Sequence, residues 1–246
     1  QPGRVLCLRC QTATCEHSAP ADSRQVFAGW GPAGLPRFVD FGQWLLQRRD
    51  PRVDLLYKDL KGSPQLLAVV VPEAGGTFVV GVKSGLQRFD PKTGDFALLL
   101  EVEPELPGNR LNDGALDPKG RLWFGTMDDG EKEATGSLYR LAANGPIALD
   151  RGYVITNGPC FSPDGRILYH TDTRAGTIFA FDVSDDGSVS NKRIFVTIEA
   201  GAGHPDGSVI DSEGCLWTCL FLGSSARRYA PNGELLSTVR FPCSNI

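Results

Sequence analysis

Methionine, histidine and long apolar runs are all scarce in this chain. Its 246 residues include one Met, Met127, and three His. With Gln at residue 1, the sequence reads as a trimmed, processed or partial chain. No stretch approaches the roughly 18 apolar residues of a membrane-spanning helix. The longest apolar runs, such as Leu66 to Pro72, have strand length. The start, QPGRVLCLRC, lacks the long apolar centre of a signal peptide. A surplus of positive charge is missing too. There are 25 Lys and Arg against 29 Asp and Glu, a net charge of −4, and the pI is near 5.4. The charges are scattered, which speaks against the basic face of a nucleic-acid binder. The expectation is a cytoplasmic protein without nucleic-acid or membrane partners. Even cysteine pairing is lacking: the seven cysteines, Cys7, Cys10, Cys15, Cys160, Cys215, Cys219 and Cys243, are odd in number and unevenly spaced. They read as free thiols, not as a disulfide framework. Cys7, Cys10, Cys15 and His17 fall within eleven residues. A structural zinc site brings ligand pairs from two places, so these read as scattered thiols.

Glycine and proline, in contrast, are plentiful. The 29 Gly and 17 Pro are about 19% of the chain, against roughly 12% in average proteins. Both break helix interiors, which argues against a helical bundle. Four segments explain the load. PEAGGTFVVGV (Pro72 to Val82), DPKGRLWFGTM (Asp117 to Met127), SPDGRILYHTD (Ser162 to Asp172) and DSEGCLWTCLF (Asp211 to Phe221) each place a polar turn before an apolar strand. Their turn glycines, Gly76, Gly120, Gly165 and Gly214, are 44, 45 and 49 residues apart. A second strand and turn follow each, beginning at Gly85, Gly136, Gly176 and Ser225. Two hairpins in about 45 residues make one four-stranded blade, and blades packed radially bury each other's faces. The chain is therefore expected to be an all-β, six-bladed propeller with a degenerate N-terminal blade and a truncated last blade. A β-sandwich of repeated hairpins is the other architecture. Residues 1–63 show no such unit and form an atypical N-terminal segment; residues 64–246 carry the blades of one domain. Within the first segment, RFVDFGQWLLQRRD (Arg37 to Asp50) reads as an amphipathic helix with Phe38, Phe41, Leu45 and Leu46 on one side.

Polar motifs recur at one register. Asn112 in NRLNDG, Asn157 in TNGP and Asp206 in HPDG each stand eight residues before a turn glycine. Asn-Gly and Asp-Gly are first of all turn formers. Three at one position in consecutive blades would converge on the propeller axis. Convergent amide and carboxylate oxygens suit a hard divalent cation such as Ca or Mg, and Mn or Zn could use them as well. Arg110 would clamp an anion or carbonyl if it faces the channel.

NRLNDGALDPKGRLWFGTM, ITNGPCFSPDGRILYHTDT with GTIFAFD, and HPDGSVIDSEGCLWTCLF resemble the senescence marker protein, regucalcin and gluconolactonase family. The resemblance runs from about Gly76 to the C-terminus. It implies a six-bladed propeller that hydrolyses sugar lactones with one divalent metal in its channel. It further implies Asn157 and Asp206 as metal ligands and Arg110 and Asn112 as substrate contacts. The family's third ligand is a Glu in a Leu-Gly-Glu-Gly-Pro-like motif, which this chain lacks. Glu16 stands near the expected place in a different context. Family and blade patterns disappear together over residues 1–63, which suggests a shifted reading frame there. Family members also continue beyond Ser244-Asn245-Ile246 to close the ring.

The implied reaction is hydrolysis of a γ- or δ-aldonolactone to the aldonic acid, with the cation as Lewis acid toward the carbonyl. Asp206 is the expected general base. His17, His170 and His204 have no Gly-x-Ser-x-Gly partner for a serine triad, and His204 reads as a channel-wall residue. The rival expectation is an inactive or calcium-binding propeller that lacks one ligand.

Overall fold

The computed structural model describes residues 26–30, 36–40, 68–73, 75–90, 92–242 and 244. Among these there are strands and turns and no helix. A hairpin pairs β1 (Val26–Trp30) with β2 (Pro36–Asp40). Residues 37–40, the start of the expected helix, are therefore strand; residues 41–50 lie outside the described residues. The register, Val26 to Asp40 and Trp30 to Pro36, comes from hairpin pairing with the segment five residues upstream, which helical periodicity cannot show.

Four separate four-stranded sheets follow, each antiparallel and each in chain order. The first holds β3 (Val69–Pro72), β4 (Phe78–Val82), β5 (Gly85–Asp90) and β6 (Asp95–Glu101). The second holds β7 (Asn109–Leu116), β8 (Leu122–Asp128), β9 (Gly136–Ala142) and β10 (Gly145–Tyr153). The third holds β11 (Thr156–Phe161), β12 (Ile167–Asp172), β13 (Thr177–Val183) and β14 (Val189–Thr197). The fourth holds β15 (His204–Ile210), β16 (Leu216–Phe221), β17 (Ser225–Tyr229) and β18 (Leu235–Arg240). These are propeller blades, and four independent sheets are not the two stacked sheets of a sandwich. The fourth blade is complete with four paired strands, so the truncation expected in a last blade does not fall in this one.

The first strands of the blades, β3, β7, β11 and β15, pack successively against one another. They line the centre, and burial falls outward from them. Every residue of β11 is buried, whereas β6 and β18 are almost wholly exposed. Apolar cores fill the spaces between blades. Leu86, Leu111, Phe124 and Tyr139 join the first blade to the second. Trp123, Leu138, Phe161, Leu168 and Phe181 join the second to the third. Ile178, Ile210, Leu216 and Tyr229 join the third to the fourth. Trp123, Leu138, Leu168 and Leu216 have no exposed surface. Burying each such side chain contributes about 1.5–3 kcal/mol.

Acid-led turns join the first and second strands of the second and fourth blades. The Asp117 carboxylate accepts from the backbone N–H of Lys119 and Arg121, from Arg121 Nε and from Trp123 Nε1. Asp211 repeats the pattern with Glu213, Cys215, Trp217 Nε1 and Arg228 Nε. Gly120 and Gly214 take φ of +77° and +78° in these turns, a conformation that costs glycine little.

The expectation of free thiols holds for Cys160 and Cys215, which are free and buried. It is corrected at Cys219, which is disulfide-bonded. Sequence spacing does not reveal which cysteines the blade register brings close. Cys7, Cys10, Cys15, Cys243 and His17 lie outside the described residues.

Candidate active site

Asn112, Asn157 and Asp206 stand on β7, β11 and β15, near the start of each central strand. All three strands break register there. The irregularity lies between Leu111 and Asp113 on β7, between Asn157 and Cys160 on β11, and between Pro205 and Ser208 on β15. Bulges re-aim side chains and are common beside functional sites. The repeated turn motifs thus place their polar residues at three equivalent irregularities. Arg110 also lies on β7. Relative exposures of 7% for Arg110, 5% for Asn112, 4% for Asn157 and 7% for Asp206 place all four out of water. Burial of so many polar groups is tolerable only if they are hydrogen-bonded.

Three of them form one chain of hydrogen bonds. Arg110 Nη1 donates to Asn112 Oδ1 at 2.7 Å and to the Leu111 carbonyl at 3.1 Å. Asn112 Nδ2 donates to Asn157 Oδ1 at 3.1 Å and to the Thr156 carbonyl at 2.6 Å. Asn157 Nδ2 donates to Thr173 Oγ1 at 2.8 Å. Each amide is held through both its nitrogen and its oxygen, which fixes its orientation. Arg110 Nε also donates to Asp129 at 3.0 Å, and Lys83 Nζ bonds the other oxygen of that carboxylate at 2.8 Å. The hydrogen bond from Lys83, with the nearby charges of Lys83 and Arg110, outweighs partial burial and lowers the Asp129 carboxyl pKa.

Asp206 stands on β15, the central strand that packs beside β11. Gly158, which follows Asn157, has φ +52°, and a Cβ there would stand 2.8 Å from the Ser208 backbone nitrogen. A larger residue would therefore force β11 away from β15. On the other side of β11, Asp113 of β7 accepts Gly158 N–H at 2.7 Å. The fourth central strand differs. Ala68, eight residues before Gly76, directly precedes β3 where the other blades carry Asn or Asp.

Buried amide and carboxylate oxygens on adjacent strands, from Asn157 and Asp206, are of the hard type that a divalent cation takes. Among the described residues, no group of three His, Cys, Asp or Glu side chains could hold a metal ion. Glu16 lies outside them. The donor set therefore fits a cation as far as two oxygen ligands go.

Sequence reasoning missed several participants. Thr173 sits in the β12–β13 turn and Asp129 just after β8, where no motif marks them. Asp113 was visible only as the acid of the turn-forming Asn-Asp-Gly. Glu103 is buried and accepts from Asn109 Nδ2, Thr126 Oγ1 and Tyr139 OH, tying three strands of the second blade together. Burial and the Glu103 carboxylate push the Tyr139 phenol up to about 12. His204 is half-buried at the start of β15. His170 is wholly buried and both its ring nitrogens lack hydrogen-bond partners, so it orients no nucleophile.

L-arabinolactonase from Azospirillum brasilense is 39% identical over 170 residues, covering 67% of this chain and 56% of that protein. 6-Deoxy-6-sulfogluconolactonase from Pseudomonas putida is 32% identical over 199 residues, covering 80% of this chain and 68% of that protein. The solved structure of the calcium-binding protein regucalcin from Agrobacterium tumefaciens superimposes with a TM-score of 0.70 at 29% identity, covering 74% of this chain and 62% of that one. This chain thus spans little more than half the length of the arabinolactonase. The description SMP-30/Gluconolactonase/LRE-like region matches residues 43–246, beginning inside the segment that carries no blade repeat, and the chain belongs to that family.

Proposed function

We propose that this chain is a metal-assisted sugar lactonase that opens an aldonolactone to the aldonic acid, with residues 64–246 acting as one domain. The observation that carries the reading is the buried Arg110–Asn112–Asn157–Thr173 chain, which crosses from β7 to β11 beside Asp206 on β15. Structural packing alone has little use for a chain of four buried polar residues across two blades. Burying them has a cost that a purely apolar centre avoids.

Asn157 and Asp206 would hold a divalent cation, Ca, Zn, Mn or Mg, through oxygen atoms. When bound, the cation supplies Lewis-acid polarisation of a lactone carbonyl. Asn157 contributes no charge, so the site would keep net positive character for the developing oxyanion. Asp206, as a carboxylate, accepts the proton of the attacking water. Arg110 and Asn112 would bond the sugar hydroxyls from β7. Asn112 additionally keeps the guanidinium and the Asn157 amide in register.

Two oxygen donors among the described residues also support a second reading, a cation-binding propeller without turnover. One experiment separates them. Purified chain is given gluconolactone or a pentonolactone with and without Ca, Mn, Mg or Zn, and acid release is followed. A metal-dependent rate that disappears in Asp206→Ala and Asn157→Ala supports the lactonase. No rate above spontaneous hydrolysis supports the cation binder, and a rate surviving both substitutions overturns the site.

A further inference from the structure

A cleft of about 370 Å³ opens between the third and fourth blades, lined by Arg174, Gly176, Glu199, Gly203, His204 and Leu222 among others. It adjoins the proposed site on both walls. Arg174 follows Thr173, whose hydroxyl bonds Asn157. His204 stands two residues before Asp206 on β15. Resting on the lactonase reading for the neighbouring site, the geometry points to this cleft as a subsite for an anionic substituent of the sugar, with Arg174 as its specificity-determining residue.

Charge and rigidity support this. An unpaired Glu199 would repel an anion, but Arg227 grips both its oxygens, Nη1 to Oε2 at 2.7 Å and Nη2 to Oε1 at 2.5 Å. Arg174 is exposed and makes no ion pair with a described acid, so it gives the cleft its uncompensated charge. The turn that carries it is held firmly. Asp172 accepts the Ala175 N–H at 3.1 Å, Gly176 N–H bonds the Thr173 carbonyl at 3.2 Å, and Ile198 N–H bonds the Gly176 carbonyl at 2.8 Å. On the opposite wall, a Cβ on Gly203 would stand 2.6 Å from Gly223 Cα. Glycine there lets the two backbones approach closely. A planar guanidinium on a fixed turn can bind carboxylate or phosphate with two parallel hydrogen bonds. The neutral ring end of such a substrate would face Asn157 and Asp206, and its charged tail would reach Arg174.

The test compares wild type, Arg174→Ala and Arg174→Lys as full chains. Substrates are neutral gluconolactone, glucaro-1,4-lactone with a carboxylate tail, and 6-phosphogluconolactone with a phosphate tail. The ratio of kcat/KM for a charged over the neutral lactone should fall about tenfold in Arg174→Ala and recover partly in Arg174→Lys. The two charged substrates show which anion the cleft prefers. Calorimetric binding of glucarate and gluconate to the same proteins gives a readout independent of turnover. The glucarate-to-gluconate affinity ratio should also fall about tenfold in Arg174→Ala. If no lactone is hydrolysed but that affinity ratio falls, the lactonase reading fails and the subsite stands. Ratios that do not move in either assay overturn the subsite, whatever the absolute rates.

Discussion

The two ends of the central strands use polar residues in opposite ways. At their starts, hydrogen bonds cross between blades. Asn112 reaches Thr156 and Asn157, Thr156 reaches the Thr126 carbonyl, and Asp113 receives Gly158. At their far ends, Asp117 and Asp211 draw all four of their donors from their own blades, and the bonds that cross there, from Lys119 and Arg121 to Asp185, are made by exposed groups outside these carboxylates. A bond within one blade closes a local loop and stabilises that blade. A chain across blades fixes the position of side chains that come from different strands. The first arrangement serves folding, and the second is what a binding centre requires. Strand regularity follows the same division, since the three register breaks lie at the starts and the far ends pair without interruption next to the turns.

The sharpest way to break this comparison is to remove one carboxylate from each end of β15. Asp206→Ala should lower kcat by about a thousandfold, the range of a lost general base, while the chain remains folded by circular dichroism. Asp211→Ala should do the reverse. It leaves Trp217 Nε1 and the Cys215 N–H without their acceptor, while Arg228 keeps Glu213, so unfolding in urea should show a loss of about 2 kcal/mol. The kcat of the folded fraction should stay within twofold of wild type, by the about 0.3–0.5 kcal/mol additivity of separated sites. Equal damage to rate and stability in both variants would show that the two ends do not divide the work.

Acid should unpick the packing between blades before it reaches the turns. Burial holds the His170 imidazole down to about 3, with Asp150 opposing that shift and Lys192 reinforcing it. Tyr153 stacks edge-on against the ring. The unfolded chain takes up this proton near pH 6.5, and the folded chain refuses it until about 3. Stability is therefore complete above 6.5 and falls as pH drops below it, by about 2 kcal/mol between pH 6.5 and 5. At Asp117, burial raises the carboxyl pKa, but the hydrogen bonds from Arg121 and Trp123 bring it below the ordinary carboxylate range. At Asp211, Arg228, Cys215 and Trp217 do the same against burial. Their contributions are present above the unfolded pKa and disappear only as pH falls through the lowered values. Urea titrations at several pH values should show the upper slope vanish in His170→Leu and the lower one persist. An unchanged upper slope would assign it elsewhere.

Much of this was legible from the spacing of turn glycines alone. The repeat located the first two strands of each blade because Gly at positive φ after Asp or Ser is a local requirement. The register of eight placed Asn112, Asn157 and Asp206 on neighbouring strands for the same reason. What stayed hidden depends on contacts between blades. Thr173 and Asp129 hold the site residues without any motif of their own, and the Cys219 disulfide depends on register. Residues 37–40 show helical spacing and yet pair as strand with residues 26–29, since pairing with a neighbouring strand outweighs a weak helical periodicity.

The third blade sharpens the comparison at its smallest scale. Its turn has Ser162 where the neighbouring blades have Asp117 and Asp211, and no Trp follows at the sixth position. It also closes one residue later, with the Ser162 N–H bonded to the Ile167 carbonyl, whereas Asp117 bonds Arg121 and Asp211 bonds Cys215. Ser162 Oγ donates to Asp164 at 2.6 Å and accepts the Ile167 N–H at 2.9 Å. An aspartate there could accept but not donate, and it would face the Asp164 carboxylate. Ser162→Asp should therefore fail to create a latch and should cost less than about 1 kcal/mol at this exposed turn. The loss should shrink in high salt, because it is charge repulsion near the surface. A gain of stability from this substitution would mean that the acid alone makes the latch. The indole and the five-residue turn would then be incidental to the far ends of the central strands.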